Sequence, residues 1–231
     1  MKLLAIDTVT EGCSAALLSN NKITEQYEIT PRGHSQRILP MIDELLGQAD
    51  LKLSQLDAIV MDRGPGSFTG VRICVSVVQG LAFATELPVI SISSLAALAQ
   101  AAYLEQGSEQ VLAVIDARMG EVYWGHYQFN NGRMCLQGSE AVSTVATIKL
   151  PPGEWLAFGS GCQTYPEDLS VLNGVHCLSA EREDYPRATS LLELARFDWL
   201  EKNLLSAEQA QPVYLRDNVA QKPKQKMKPV G

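Results

Sequence analysis

The chain has 231 residues, 46% of them hydrophobic and 19% charged, which suits a folded globular protein with one large domain or two lobes of about 100 residues each. Its formal net charge is −7, and the last eleven residues hold four lysines and no acid, so the rest is more acidic still. An acidic body argues against a nucleic-acid binder that works alone through positive charge. Five scattered cysteines without a C-x-x-C pair argue against a disulfide scaffold and a zinc site. The apolar start stops at Asp7, too early for a secretory leader, and no uncharged run is long enough for a bilayer. These features predict a cytoplasmic chain.

In chain order, Leu3 to Ile6, Cys13 to Leu18 and Ile23 to Ile29 read as three strands of a meander. The turn Asp7-Thr8-Val9-Thr10-Glu11-Gly12 separates the first two. Ile38, Ile42, Leu45, Leu46 and Ala49 recur at helical spacing and predict a helix from Ser35, its expected N-cap, to Gln48. A fourth strand, Asp57 to Met61, leads into Arg63-Gly64-Pro65-Gly66-Ser67-Phe68-Thr69-Gly70-Val71-Arg72.

The glycines of that loop let another backbone or a ligand come close, and Ser67 or Thr69 can cap a helix start. Such a loop holds an anion or is simply a tight turn. It is neither a P-loop nor the dinucleotide fingerprint. The segment from Thr69 to Ala84 alternates like a strand, but its unbroken length favours a helix that is apolar nearly all round. Such a helix must be covered on two sides, one by its own sheet and the other by a second layer or a partner.

Val89 to Ile92 reads as a fifth strand, and Ser94 as the cap of a helix from Leu95 to about Leu104. Then Val111-Leu112-Ala113-Val114-Ile115-Asp116 echoes Leu3-Leu4-Ala5-Ile6-Asp7, with a strand from Glu121 to Phe129 and an Asn-Asn turn after it. A duplicated α/β lobe accounts for the echo. Trp155 to Phe158 reads as a strand, Gly159-Ser160-Gly161 as a tight turn, Leu191 to Leu200 as a helix capped by Thr189 or Ser190, and Gln211 to Arg216 as an extended segment. The expected organisation is a first lobe over residues 1–106, a second over 107–220, and a basic flexible tail over 221–231.

Four motifs in this order, Leu4-Ala5-Ile6-Asp7-Thr8, Arg63 to Arg72, Ile115-Asp116-Ala117-Arg118-Met119-Gly120-Glu121-Val122-Tyr123 and Pro212-Val213-Tyr214-Leu215-Arg216, resemble the TsaB (YeaZ) family of bacterial tRNA threonylcarbamoyladenosine biosynthesis proteins. The resemblance covers nearly the whole chain and is looser from Leu136 to Arg187. It implies an α/β, two-lobed actin/Hsp70/sugar-kinase-like (ASKHA) fold with a duplicated β-meander plus helices. It also implies a scaffold subunit, not an enzyme, in tRNA modification. In that system TsaD transfers the threonylcarbamoyl group from threonylcarbamoyl-AMP to the adenosine beside the anticodon of tRNAs reading A-starting codons, and TsaE is an ATPase. The implied partners are TsaD in a heterodimer, TsaE in an ATP-dependent ternary complex, and a second copy in a homodimer when alone. The tRNA is met through the complex, and no membrane is involved.

The residues support a non-catalytic role. An actin-like ATPase needs glycine in the turns after its two strand-ending aspartates, and here Val9 and Arg118 stand there. Asp7 and Asp116 either hold a metal through water or pair with turn N–H groups. TsaD-like proteins bind metal through two histidines at helical spacing, whereas His34 has Ile38 four residues on, so no metal site and no cofactor are expected. His34 reads as a surface or interface residue. A nucleotide, if held, would meet Asp7, Thr8, Gly64, Gly66 and Ser67. The expected partner interface is His34, Ile38, Ile42, Leu45, Thr69, Val71, Arg72, Val75, Val78 and Ala82, so that a charge at Val75 or Val78 would weaken association with TsaD. Cys74 stands where the family commonly has glycine, which bears on how closely another helix can approach. The competing reading is an active nucleotide-dependent kinase or ATPase of the same fold.

Overall fold

A computed structural model describes residues 1–178 and 184–216. The expected basic tail, 221–231, lies outside the described residues. The first sheet holds β1 (Leu3–Asp7), β2 (Gly12–Ser19), β3 (Lys22–Ile29), β4 (Ala58–Asp62) and β5 (Val89–Ile92) in the order β3-β2-β1-β4-β5. The second holds β6 (Gln110–Asp116), β7 (Val122–Asn130), β8 (Arg133–Leu136), β10 (Trp155–Phe158) and β11 (Val175–Cys177) in the order β11-β10-β6-β7-β8, with the short β9 (Ala141–Ser143) on β7. Each sheet therefore has a central strand with an antiparallel meander on one side and two parallel strands on the other. This is the duplicated two-lobed plan of the actin/Hsp70/sugar-kinase class.

Alternation along β1 decides the layers. Leu4 and Ile6 face α1 (His34–Gln48) and α2 (Phe68–Thr85). Leu3 and Ala5 face the opposite layer, which α6 (Ala188–Glu201) supplies. Both faces of β1 are thus covered, and its five residues are all buried, as expected for a central strand beside parallel neighbours. Helix α6 lies late in the chain yet packs on the first sheet, while α3 (Ser94–Gln106) precedes the second sheet and packs on it. The two helices touch, so each layer is sealed by a segment next to the other lobe's strands.

Helix starts differ from expectation in three places. Helix α1 begins one residue early, with Gly33 rather than Ser35 at its N-cap. Helix α6 begins at Ala188 behind Arg187, so neither Thr189 nor Ser190 caps it. Helix α3 is capped by Ser93, whose oxygen accepts the Leu95 N–H at 3.1 Å. Ser94 is instead turned inward to donate to Asp62. A pair of adjacent serines offers two caps, and the buried carboxylate claims one of them. The segment with two readings, 69–84, is the helix α2, with Ser67 as its cap. After Gly159 and Ser160 the chain enters a one-turn helix, α4 (Gly161–Thr164), followed by α5 (Pro166–Ser170).

Candidate functional site

The glycine-rich loop is spent on the protein's own backbone. A Cβ on Gly66 would lie 2.3 Å from the Val9 carbonyl oxygen, and one on Gly70 would lie 2.2 Å from that of Thr8. Only glycine allows these approaches. The Ser67 N–H donates to the Val9 carbonyl at 2.7 Å, and the Thr8 hydroxyl donates to the Gly70 carbonyl at 2.8 Å. Loop and first turn form one packed unit. Asp7 and Thr8 are completely buried inside it, and of the five residues expected to meet a nucleotide only Gly66 and Ser67 reach an open cavity. Asp7, Thr8 and Gly64 stand outside the wall of that cavity. Gly64, with φ +89°, gives its N–H to Asp62 at 2.8 Å.

Asp62 is the functional-looking residue that sequence reasoning missed. It ends β4 as Asp7 ends β1, on neighbouring parallel strands. Asp7 Oδ1 accepts the Val9 N–H, and Asp62 Oδ1 accepts the Gly64 N–H and the Ser94 hydroxyl. The two Oδ2 atoms are buried and have no hydrogen-bond partner among the described residues. The charge of Asp62 acts on Asp7, and two like charges in a buried place favour the neutral form. Burial is the main cause that pushes both upward, Asp62 to about 7, with the Asp62 charge adding to the rise at Asp7. The Cys74 thiol lies nearby and donates to the Ile6 carbonyl at 3.2 Å. Cys74 faces the sheet, so its departure from glycine does not touch the outer face of α2.

The expected interface anchors also face inward. Ile38, Ile42, Leu45, Val71, Val75, Val78 and Ala82 pack with Leu4, Ile6, Ala15 and Ile59 in the chain's own core. His34 is buried, its Nε2 3.3 Å from the Gly12 carbonyl oxygen, and is no surface residue. Thr69 and Arg72 are exposed. Arg72 lays its guanidinium 3.8 Å from the centre of the Phe68 ring and donates to the Tyr214 hydroxyl. The outward face of α2 consists of the residues between the expected ones: Ile73, Val77 and Leu81 half-buried, and Ser76, Gly80, Phe83 and Ala84 exposed. Over its 18 residues α2 has a mean hydropathy of 1.4, with Arg72 its one charge. On a helix apolar all round, periodicity carries no phase, and the sheet chose the other face.

A cavity of about 640 Å³ opens between the lobes. Its second-lobe wall is the turn after Asp116. Asp116 Oδ1 accepts the Arg118 N–H at 2.8 Å and the Tyr165 hydroxyl at 3.2 Å, while its own N–H donates to Ser160 Oγ. Arg118 bridges Asp116 to Glu11 of the first lobe, at 3.0 and 2.9 Å. Asp116 thus has turn and side-chain partners, the second of the two uses open to it from sequence. Among the described residues no three His, Cys, Asp or Glu side chains gather as metal ligands.

A family model described as "TsaD: tRNA N6-adenosine threonylcarbamoyltransferase" matches residues 16–224. The tRNA threonylcarbamoyladenosine biosynthesis protein TsaB of Escherichia coli (strain K12) is 43% identical over 227 residues, covering 96% of this chain and 97% of that protein. Its namesake from Haemophilus influenzae is 40% identical and covers 96% of each. The solved structure of YeaZ from Pseudomonas aeruginosa superposes with a TM-score of 0.84 at 48% identity, covering 93% of this chain and 99% of that one.

Proposed function

The chain belongs to the TsaB family, and from that premise we propose that it is the non-catalytic subunit that docks on TsaD through the outward face of α2. The role it serves is the transfer of the threonylcarbamoyl group to tRNA, performed by TsaD with TsaE. One observation carries the docking reading. Phe83 is exposed, and Ile73, Val77 and Leu81 pack on the chain's own core but are only half covered by it, while Ser76, Gly80 and Ala84 leave room for a second helix to come close. An aliphatic strip of this kind, flanked by small residues, is the centre of a helical interface. TsaD in a heterodimer is its occupant in the complex, and a second copy of the chain occupies it when TsaD is absent. TsaE joins as a third member, and tRNA is held by the assembly. A cytoplasmic setting, with all five thiols free, belongs to the same reading.

A subunit without chemistry of its own also fits the turns. Val9 packs against the glycine-rich loop where a phosphate-cradling glycine would be needed, and Ile38, four residues after His34, is buried in the core.

The test is reconstitution of modified tRNA from TsaD, TsaE, this chain, ATP, threonylcarbamoyl-AMP and tRNA, omitting each protein in turn. Product is expected to vanish without this chain, and the chain alone is expected to hydrolyse no ATP. Gly80→Arg adds a charged side chain in open space, since nothing lies within 4 Å of a Cβ there. It should leave stability within about 0.5 kcal/mol and abolish binding to TsaD. Val78→Asp should instead unfold the chain, because it buries an unpaired charge. Full TsaD binding by folded Gly80→Arg would overturn the docking face, and ATP turnover by the isolated chain would reopen the enzyme reading.

A further inference from the structure

Arg72 is the one charge of α2, and it is exposed near the N-terminal end of that helix. A cation there gains nothing from the helix, whose positive pole is at the same end. It follows Phe68 by one turn, so the two share a face. The guanidinium lies over the Phe68 ring at 3.8 Å, and its Nε donates to the Tyr214 hydroxyl at 3.2 Å. Phe68 and Tyr214 lie tilted against each other with ring centres 5.8 Å apart, and they are 55% and 44% exposed. The guanidinium is thus held at the surface by two aromatic side chains, and its two Nη atoms have no acceptor among the described residues. Other arginines differ. Arg37 pairs with Glu28, Arg118 with Glu11 and Asp116, Arg133 with Glu201, and Arg216 with Glu121. Arg72 has no carboxylate beside it among the described residues, in a chain with 26 acidic and 19 basic side chains.

We propose that Phe68, Arg72 and Tyr214 are a carboxylate-binding clamp, and that its occupant is an aspartate or glutamate side chain of the protein that docks on α2. The proposal rests on the reading that TsaD docks there. Arg72, Ser76, Gly80 and Ala84 follow one another at four-residue spacing and are all exposed, so the cluster continues the outward face of α2 toward residues 211–216. A guanidinium fixed between exposed rings, at the end of an apolar face, has the composition of an interface hot spot. Its free Nη edge matches the two oxygens of a carboxylate, and the rings cover the apolar part of the side chain that brings it. The acidic body of the chain disfavours a polynucleotide phosphate as the anion. Arg72 then supplies the one charged contact of a face that is otherwise apolar or small, and so fixes the register of the docked partner.

The test is calorimetric titration of the full chain with TsaD at low and high salt. Arg72→Ala should raise Kd about tenfold and Arg72→Glu about a hundredfold. Arg72→Lys should recover only part of the loss, because an ammonium lacks the planar fork. Tyr214→Phe keeps the ring and removes the acceptor for Nε, and should raise Kd about threefold. Salt should weaken binding of the unaltered chain more steeply than that of Arg72→Ala. Thermal unfolding of each variant should match the unaltered chain, since Arg72 and Tyr214 are exposed. Gly80→Arg separates the clamp from the face it extends. If Gly80→Arg abolishes binding while Arg72→Ala and Arg72→Glu bind as the unaltered chain does, the clamp is overturned and the docking face stands. Full binding by Gly80→Arg together with loss in Arg72→Glu would keep the clamp and overturn the α2 face. Normal TsaD binding by Arg72→Glu with weaker tRNA binding by the assembled complex would overturn the carboxylate in favour of a phosphate.

Discussion

The turns after Asp7 and after Asp116 begin alike and end differently. Each follows the central strand of its sheet, and each aspartate accepts the N–H two residues on. In the first lobe the glycines that follow the parallel neighbour β4 press on Thr8 and Val9, in the turn itself. In the second lobe Gly159 and Gly161, which follow the parallel neighbour β10, press on Val114, two residues before Asp116. That displacement of a few residues decides everything nearby. The first turn is capped and its aspartate sealed, with the charge of Asp62 acting on it. The second turn stays open, lines the cavity and takes Arg118 and Tyr165 as partners. One local unit, used twice, becomes a packed joint in one lobe and an accessible surface in the other.

The largest effect that sharpens this contrast is expected at Gly70. Alanine there puts a Cβ 2.2 Å from the Thr8 carbonyl oxygen, and the neighbour is backbone, which no rotamer change can move aside. Gly70→Ala should cost about 3 kcal/mol. Gly120, in the open turn, has φ +80° but no atom within 4 Å of a Cβ. Gly120→Ala should cost only about 1 kcal/mol, from its backbone conformation. Urea denaturation of both variants measures the difference, and equal costs would mean that the first turn is no tighter than the second.

The sealed turn should also leave a mark in the pH dependence of stability. Asp62 titrates near 7 when folded, against about 3.9 for an unfolded aspartate. Between those values the folded chain binds the extra proton. The stabilisation is therefore complete below about pH 4 and lost as pH rises through about 7, with a slope of up to about 1.4 kcal/mol per pH unit. Asp62→Asn removes the titrating group and should flatten that slope, gaining stability over the unaltered chain at pH 8. Denaturation curves from pH 5 to 8 that stay parallel for the two proteins would mean that Asp62 does not titrate in that range.

Much of this is legible in the sequence. The meander, the loop between β4 and α2, the cap at Ser67 and the echo at Asp116 all follow from local pattern, because turn chemistry and strand alternation are written within a few residues. What failed was phase and depth. Val75 and Ile73 are equally apolar, and nothing in α2 itself says which of them the sheet will take. Asp62 stands just past the expected strand, and its significance lies in the parallel register that sets it beside Asp7. Gly159-Ser160-Gly161 read as a plain turn because its counterpart, Gly66 to Gly70, is longer and richer in glycine. Short pieces such as β9, β11 and α4 carry too few residues for any period.

The smallest effect tests whether the two lobes are held at the cavity by the turns or by the strap that crosses it. Residues 211–216 form that strap. The Val213 N–H donates to the Arg63 carbonyl at 2.9 Å, and the Tyr214 ring lies tilted against Phe68 with ring centres 5.8 Å apart, both on the first lobe. Arg216, on the second, donates to the Ala117 carbonyl at 2.9 Å and pairs with Glu121. Its guanidinium is largely buried but the carboxylate is about a third exposed, so the pair is partly screened and Arg216→Ala should cost about 1 kcal/mol. Arg216→Lys should recover only part of this, because one ammonium cannot span carbonyl and carboxylate as the planar fork does. Salt should shrink the difference between arginine and alanine, since the carboxylate pairing is screened while the carbonyl bond is less so. A loss at Arg216 as large as that at Gly70 would reverse the ranking: the strap would be the joint, and the packed first turn merely one of its anchor points.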